Sequence, residues 1–102
     1  MYTLQIEHGI KDFDMWKAAF DRDPLNRAAS GVQQFRISRP LGDPHFIVVE
    51  LDFATSGQAS EMQRRLQDVV WSSASNAPAL MGSPQTRIVE TVYTGTPALQ
   101  DS

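Results

Sequence analysis

Val32-Gln33-Gln34-Phe35-Arg36-Ile37-Ser38-Arg39, then Pro40-Leu41-Gly42-Asp43-Pro44, then His45-Phe46-Ile47-Val48-Val49-Glu50-Leu51-Asp52-Phe53 is the stretch that decides the fold. The first and third blocks each alternate polar and apolar side chains with a period of two, which is the signature of a strand with one buried face. The middle block is a turn rich in Pro and Gly, short enough to join antiparallel neighbours. A hairpin is therefore predicted over Val32 to Arg39 and His45 to Phe53. If Arg39 pairs with His45, Ile37 faces Ile47, Phe35 faces Val49, and Arg36 lies across from Val48 and diagonal to Glu50. The odd-numbered face is then the apolar one.

Working outward, Leu4, Ile6 and His8 alternate with Thr3, Gln5 and Glu7, which predicts a first strand from about Thr3 to Gly9. Asp12 is a candidate N-cap, Asp14 puts negative charge in the first turn, and Phe13, Trp16 and Phe20 recur at helical spacing, predicting a helix from Phe13 to about Arg22. Asp23-Pro24 breaks it, Leu25 to Ser30 has room for one further turn, and Gly31 is a natural stop. On the far side of the hairpin, Thr55 with Gln58 matches a capping box. Ala59, Met62, Leu66, Val69 and Val70 form an apolar stripe, so a second helix is expected from about Ser56 to Ser73. Gly82 and Pro84 read as loop, and Thr86 to Tyr93 as a fourth strand, with Ile88 and Val92 on one face and Val89 and Tyr93 on the other.

The order βαββαβ, with right-handed crossovers around a central hairpin, gives a ferredoxin-like α+β fold: a four-stranded antiparallel sheet in the order 4-1-3-2 with both helices on one face. One domain over residues 1–93 and a tail over residues 94–102, mobile or reaching a partner, are expected. The uncovered face presents Val32, Phe46, Val48, Val89 and Tyr93 among Gln5, Glu7, Gln34, Arg36, Glu50 and Arg87. Apolar area of that kind marks an interaction surface, and a two-fold pairing of sheet on sheet covers it most simply. A homodimer is expected, with Arg36 and Glu50 as the first ion pair to look for.

Composition excludes several classes of function. The 102 residues carry nine Lys and Arg against twelve Asp and Glu, a formal charge of −3, with no cationic cluster for nucleic acid phosphates. No cysteine is present, which excludes disulfides and thiolate metal sites and suits a cytoplasmic location. The N-terminus reads as a strand rather than a secretory signal, and the longest apolar run, Phe46 to Val49, is far short of the roughly 20 residues that cross a bilayer. No membrane association is expected. Nor is there an internal repeat, a phosphate-binding Gly-rich loop, a His-Glu-x-x-His or a Gly-x-Ser-x-Gly motif, so no cofactor is expected.

Four residues are candidates for chemistry. His8 ends a central strand on the side of Leu4 and Ile6, so its imidazole points beneath the helices towards Trp16, where it serves as general base or ligand contact, or as a half-buried ring bonded to a backbone carbonyl. Trp16 either lines an aromatic wall for a flat ligand or packs as core beside Phe13 and Phe20. Arg27 offers a bidentate clamp to a carboxylate, in competition with an ion pair to Asp21 or Asp23. His45 begins the third strand at the same end of the sheet as His8. Two imidazoles without further ligands on one face make a poor metal site, and no metal is expected.

His8, Asp14-Met15-Trp16-Lys17, Phe20-Asp21, Pro24, Arg27, Gly31-Val32, Asp52-Phe53 and Arg87-Ile88-Val89-Glu90 together resemble a family of short bacterial proteins. That family resembles the dimeric α+β-barrel superfamily, which includes antibiotic-biosynthesis monooxygenases, haem-degrading monooxygenases, muconolactone isomerase-like enzymes and stress-responsive barrel proteins. The resemblance covers about residues 2–93 and implies the fold and the homodimer. For activity it implies a small-molecule-binding protein, either a cofactor-free monooxygenase-like or isomerase-like enzyme acting on a small aromatic or acidic ligand, or a non-catalytic sensing module or structural homodimer.

Overall fold

A computed structural model describes residues 1–98. The elements are β1 (Tyr2–Ile10), α1 (Phe13–Asp21), β2 (Gln34–Ser38), β3 (Phe46–Phe53), α2 (Ser56–Arg65) with a π-helical extension (Leu66–Val70), and β4 (Leu80–Glu90). All pairings are antiparallel and the sheet order is β2-β3-β1-β4, the expected 4-1-3-2 read from the other edge.

Local chemistry starts both helices where the sequence predicts. An Asp12 carboxylate oxygen accepts from the Met15 amide at 2.9 Å, and the Thr55 hydroxyl accepts from the Gln58 amide at 3.1 Å, each satisfying an N–H that has no partner inside its helix. Leu4, Ile6 and Ile10 of β1 meet Ile47, Val49, Leu51 and Phe53 of β3 on one face, and Ala59 and Met62 of α2 close over them. Phe13, Trp16 and Phe20 bring α1 against the same cluster, so both helices share that face.

Four expectations need correction. The β2–β3 register is displaced by two residues: Arg36 stands opposite Glu50, Phe35 opposite Leu51 and Ile37 opposite Val49. Two bonds from the Arg36 guanidinium to a Glu50 oxygen, at 3.0 and 2.9 Å, hold this register, and Asp43 keeps His45 in the turn by accepting its amide at 2.9 Å. A slip of two preserves which residues face the core, so the apolar pattern cannot detect it. Second, β4 begins at Leu80 rather than Thr86: Gly82, Ser83 and Pro84 are a bulge within it, set against His8 alone, between the pairs Glu7–Gln85 and Gly9–Met81. Gly82 has φ of 71°, a left-handed conformation that suits glycine, and Pro84 has no N–H to offer a regular ladder. Third, regular α-helix stops at Arg65, not near Ser73. Fourth, β4 ends at Glu90, so Val92 and Tyr93, at 85% and 89% exposed, pack on neither face. Residues 91–98 carry no helix or strand, and the rest of the expected tail lies outside the described residues.

On the uncovered face one row crosses all four strands. Arg36 on β2 bonds Glu50 on β3, the Gln5 amide on β1 donates to Glu50 at 3.2 Å, and Arg87 on β4 donates to the Gln5 oxygen at 2.6 Å. Phe46, Val48 and Val89 flank this row half-buried, and Met81 is exposed.

Candidate functional site

Even-numbered residues of β1 point beneath the helices, and His8 is the last polar one before the strand closes on Ile10. It sits where β4 bulges, and bulges of this kind re-aim side chains beside functional sites. The imidazole is 5% exposed. Its Nδ1 lies 2.9 Å from the Gly9 carbonyl, which only accepts, so Nδ1 carries the proton of the neutral ring. The remaining nitrogen, Nε2, has no hydrogen-bond partner among the described residues, and as the unprotonated one it is an acceptor. Desolvation by burial pushes the His8 pKa below its ordinary 6.5, against a smaller upward pull from the Gly9 carbonyl. The ring is neutral at physiological pH and its free nitrogen can accept a hydrogen bond or a proton.

His8 lines a partly open cavity of about 90 Å³ between the sheet and the two helices. Trp16 and Trp71 both line it, each with its ring centroid 6.5 Å from that of His8. These are the only two tryptophans in the chain. Trp16 arrives from α1, stacked on Phe20 at 5.0 Å. Trp71 arrives from the π-helical extension, where its amide donates to the Leu66 carbonyl five residues back at 2.8 Å.

The break after α1 delivers Arg27. Asp23 adopts a φ of 53°, which a short polar side chain tolerates, and its carboxylate accepts from the Arg27 amide at 2.9 Å. The guanidinium folds back over the Phe20 ring, 3.7 Å from its centroid, and Nη1 donates to the Phe20 carbonyl at 2.9 Å. The ion pair to Asp23, at 3.4 Å, is also present.

His8, Trp16 and Arg27 therefore line one cavity, and His45 does not. His45 is exposed in the turn before β3, with Nδ1 3.1 Å from the Lys11 carbonyl. Among the described residues no cluster of three or more His, Asp or Glu side chains is placed to hold a metal ion. Phe20 packs against the core, as the sequence predicts, and in addition lines the cavity and carries Arg27. Trp71 was missed altogether. The available signal was a second tryptophan directly following Val70 in the apolar stripe of α2.

The architecture defines the class as a ferredoxin-like α+β protein with a cavity between its sheet and helices. A dimeric ferredoxin-like protein from an uncultured marine organism matches with a TM-score of 0.64 at 8% identity, over 95% of this chain and 100% of that one. A proposed antibiotic biosynthesis monooxygenase from Nitrosomonas europaea matches with a TM-score of 0.60 at 19% identity, over 91% of this chain and 100% of that one. A Streptomyces coelicolor monooxygenase, from the gene ActVA-Orf6 and solved in complex with nanaomycin D, matches with a TM-score of 0.60 at 12% identity, over 95% and 92%. The chain thus has the fold of monooxygenase-like and dimeric ferredoxin-like proteins, as the resemblance implied. No protein-family model matches the sequence. No curated protein matches it either.

Proposed function

We infer that the chain forms a homodimeric α+β barrel in the cytoplasm, takes a small flat ligand into the cavity beside His8, and acts on it as a cofactor-free monooxygenase-like or isomerase-like enzyme. The carrying observation is a buried, neutral histidine whose Nε2 is unpartnered at a cavity walled by both tryptophans. A base of that kind removes a proton from a phenolic O–H, or from a C–H next to a carbonyl, and leaves a phenolate or enolate. Apolar walls exclude water from the anion that forms. His45 has no part in this reading, because it lies outside the cavity.

The dimer rests on the uncovered sheet face, where half-buried Phe46, Val48 and Val89 and exposed Met81 would otherwise remain wet. It is also supported by the fold, since one matching structure is described as dimeric.

The test is oxygen consumption, and separately isomerisation, with small phenols, quinols and enolisable ketones, comparing the natural protein with His8→Gln. Loss of about 100-fold or more in turnover is expected for a general base. Turnover unchanged in the variant removes His8 from the chemistry. Binding without turnover across the series reassigns the cavity to a sensing role.

A further inference from the structure

Arg27 is held on one side and open on the other. Phe20 supports the guanidinium plane at 3.7 Å, with Phe35 at 5.3 Å, and Nη1 is committed to the Phe20 carbonyl and to Asp23. The Asp23 carboxylate is in turn committed to the Arg27 amide and guanidinium. Nε and Nη2 have no hydrogen-bond partner among the described residues, although the side chain is only 18% exposed and lines the cavity. The Nε–Nη2 edge is the fork that meets a carboxylate through two parallel N–H bonds. Stacking has already removed much of the guanidinium's rotational freedom, so little ordering remains to be imposed when such a ligand binds.

Cavity size limits what can carry that carboxylate. At about 90 Å³ it is smaller than the roughly 150 Å³ apolar cavity that encloses benzene in an engineered protein, but it is open at one side. A single ring lying against Trp16 and Trp71, with its substituent emerging towards Arg27, suits this volume. Fused rings do not.

We propose that the cavity selects a single-ring aromatic carboxylate, with Arg27 as the residue that sets specificity for the acid group and the two tryptophans as the ring's contacts. This deepens the function proposed above and rests on the cavity being the ligand site. It assigns Arg27 a role in binding and none in proton transfer.

The indole N–H signals of Trp16 and Trp71 in a proton–nitrogen NMR spectrum report on the cavity directly, because the chain has no other tryptophan. Para-hydroxybenzoate, para-hydroxybenzamide, phenol and a hydroxynaphthoate are titrated in turn. The acid is expected to move both signals and to bind at least about tenfold more tightly than the isosteric amide. Arg27→Gln is expected to abolish that difference, and Arg27→Lys to restore part of it. Equal binding of acid and amide in the natural protein, or an acid preference that survives Arg27→Gln, overturns the inference while leaving the cavity as a ligand site. So does a hydroxynaphthoate that binds as tightly as the single ring. Silence from both signals with every probe, phenol included, overturns this inference and the proposed function together. Should Arg27→Gln fail to fold, the acid and amide comparison in the natural protein decides alone.

Discussion

Burial of His8 makes the protein's stability depend on pH in a window set by one side chain. In the unfolded chain the imidazole titrates at its ordinary 6.5, and in the folded protein desolvation holds it lower. Between these two values the unfolded state binds the extra proton, so stability falls as pH falls. Well above 6.5 both states are neutral and the contribution is flat. Below it the loss steepens towards a limit of about 1.4 kcal/mol per pH unit for a single proton, and levels off beneath the folded value, where both states are protonated. Glu50 is shifted in the same direction, in a more acidic range. The Arg36 hydrogen bond holds its pKa below the ordinary 4.5, so its contribution is present above that value and is lost at more acidic pH, outside the histidine window.

Asp23 and Arg27 line the same cavity as His8 and are paired with each other at 3.4 Å. The assay is urea denaturation at fixed protein concentration, from about pH 7.5 down to about pH 5.5, on the natural protein and on His8→Gln. The natural protein is expected to lose stability on acidification with a slope of at most one proton, and the variant to be flat by comparison. Parallel pH profiles for the two proteins would refute the assignment of a buried neutral imidazole.

Three further outcomes follow from the packing. Met62→Ala, which empties a fully buried position beneath α2, is expected to cost about 2–5 kcal/mol in the same denaturation assay. Asp12→Ala removes the acceptor for the Met15 amide and is expected to cost about 1 kcal/mol, read from the urea midpoint. Glu50→Lys leaves three cations in the row from Arg36 to Arg87, and the dimer dissociation constant, measured by sedimentation, is expected to rise at least about tenfold.

The parts legible in the sequence were those whose signal repeats. Alternation over residues 32–53 marks a strand pair because each polar residue confirms the one two places earlier, and Asp12 and Thr55 mark helix starts because their side chains act within three residues. Placing His8 and Trp16 on facing surfaces required only the parity of one strand and the spacing of one helix. Irregularity was not legible. Gly82 and Pro84 punctuate a loop and a bulge alike, so the first half of β4 reads as connection in the sequence. Nothing in Leu66-Gln67-Asp68-Val69-Val70 distinguishes a π-helical turn from an α-helical one, and Trp71 was therefore not placed. The hairpin register was hidden for a different reason, since a slip of two leaves every side chain on its own face.

Those unread irregularities bracket the same side chain. A regular β4 would pair with β1 straight through His8, whereas the bulge inserts Gly82, Ser83 and Pro84 opposite that one residue, just where the strand's inward row changes from aliphatic to imidazole. A regular α2 would turn each residue after Arg65 by about 100° from the last, whereas the wider turn holds the Trp71 amide on the carbonyl of Leu66 and keeps its indole 6.5 Å from the imidazole. The fully buried members of the core lie on regular stretches of β1, β3 and α2, and Leu66 and Trp71 pack against them from the wider turn. Deviations from regular pairing and winding of these kinds are frequent where a site must be shaped. The bulge opposite His8 and the wide turn that carries Trp71 thus both adjoin the cavity proposed above as the ligand site, which is where the proposed function predicts the fold's irregularities to gather.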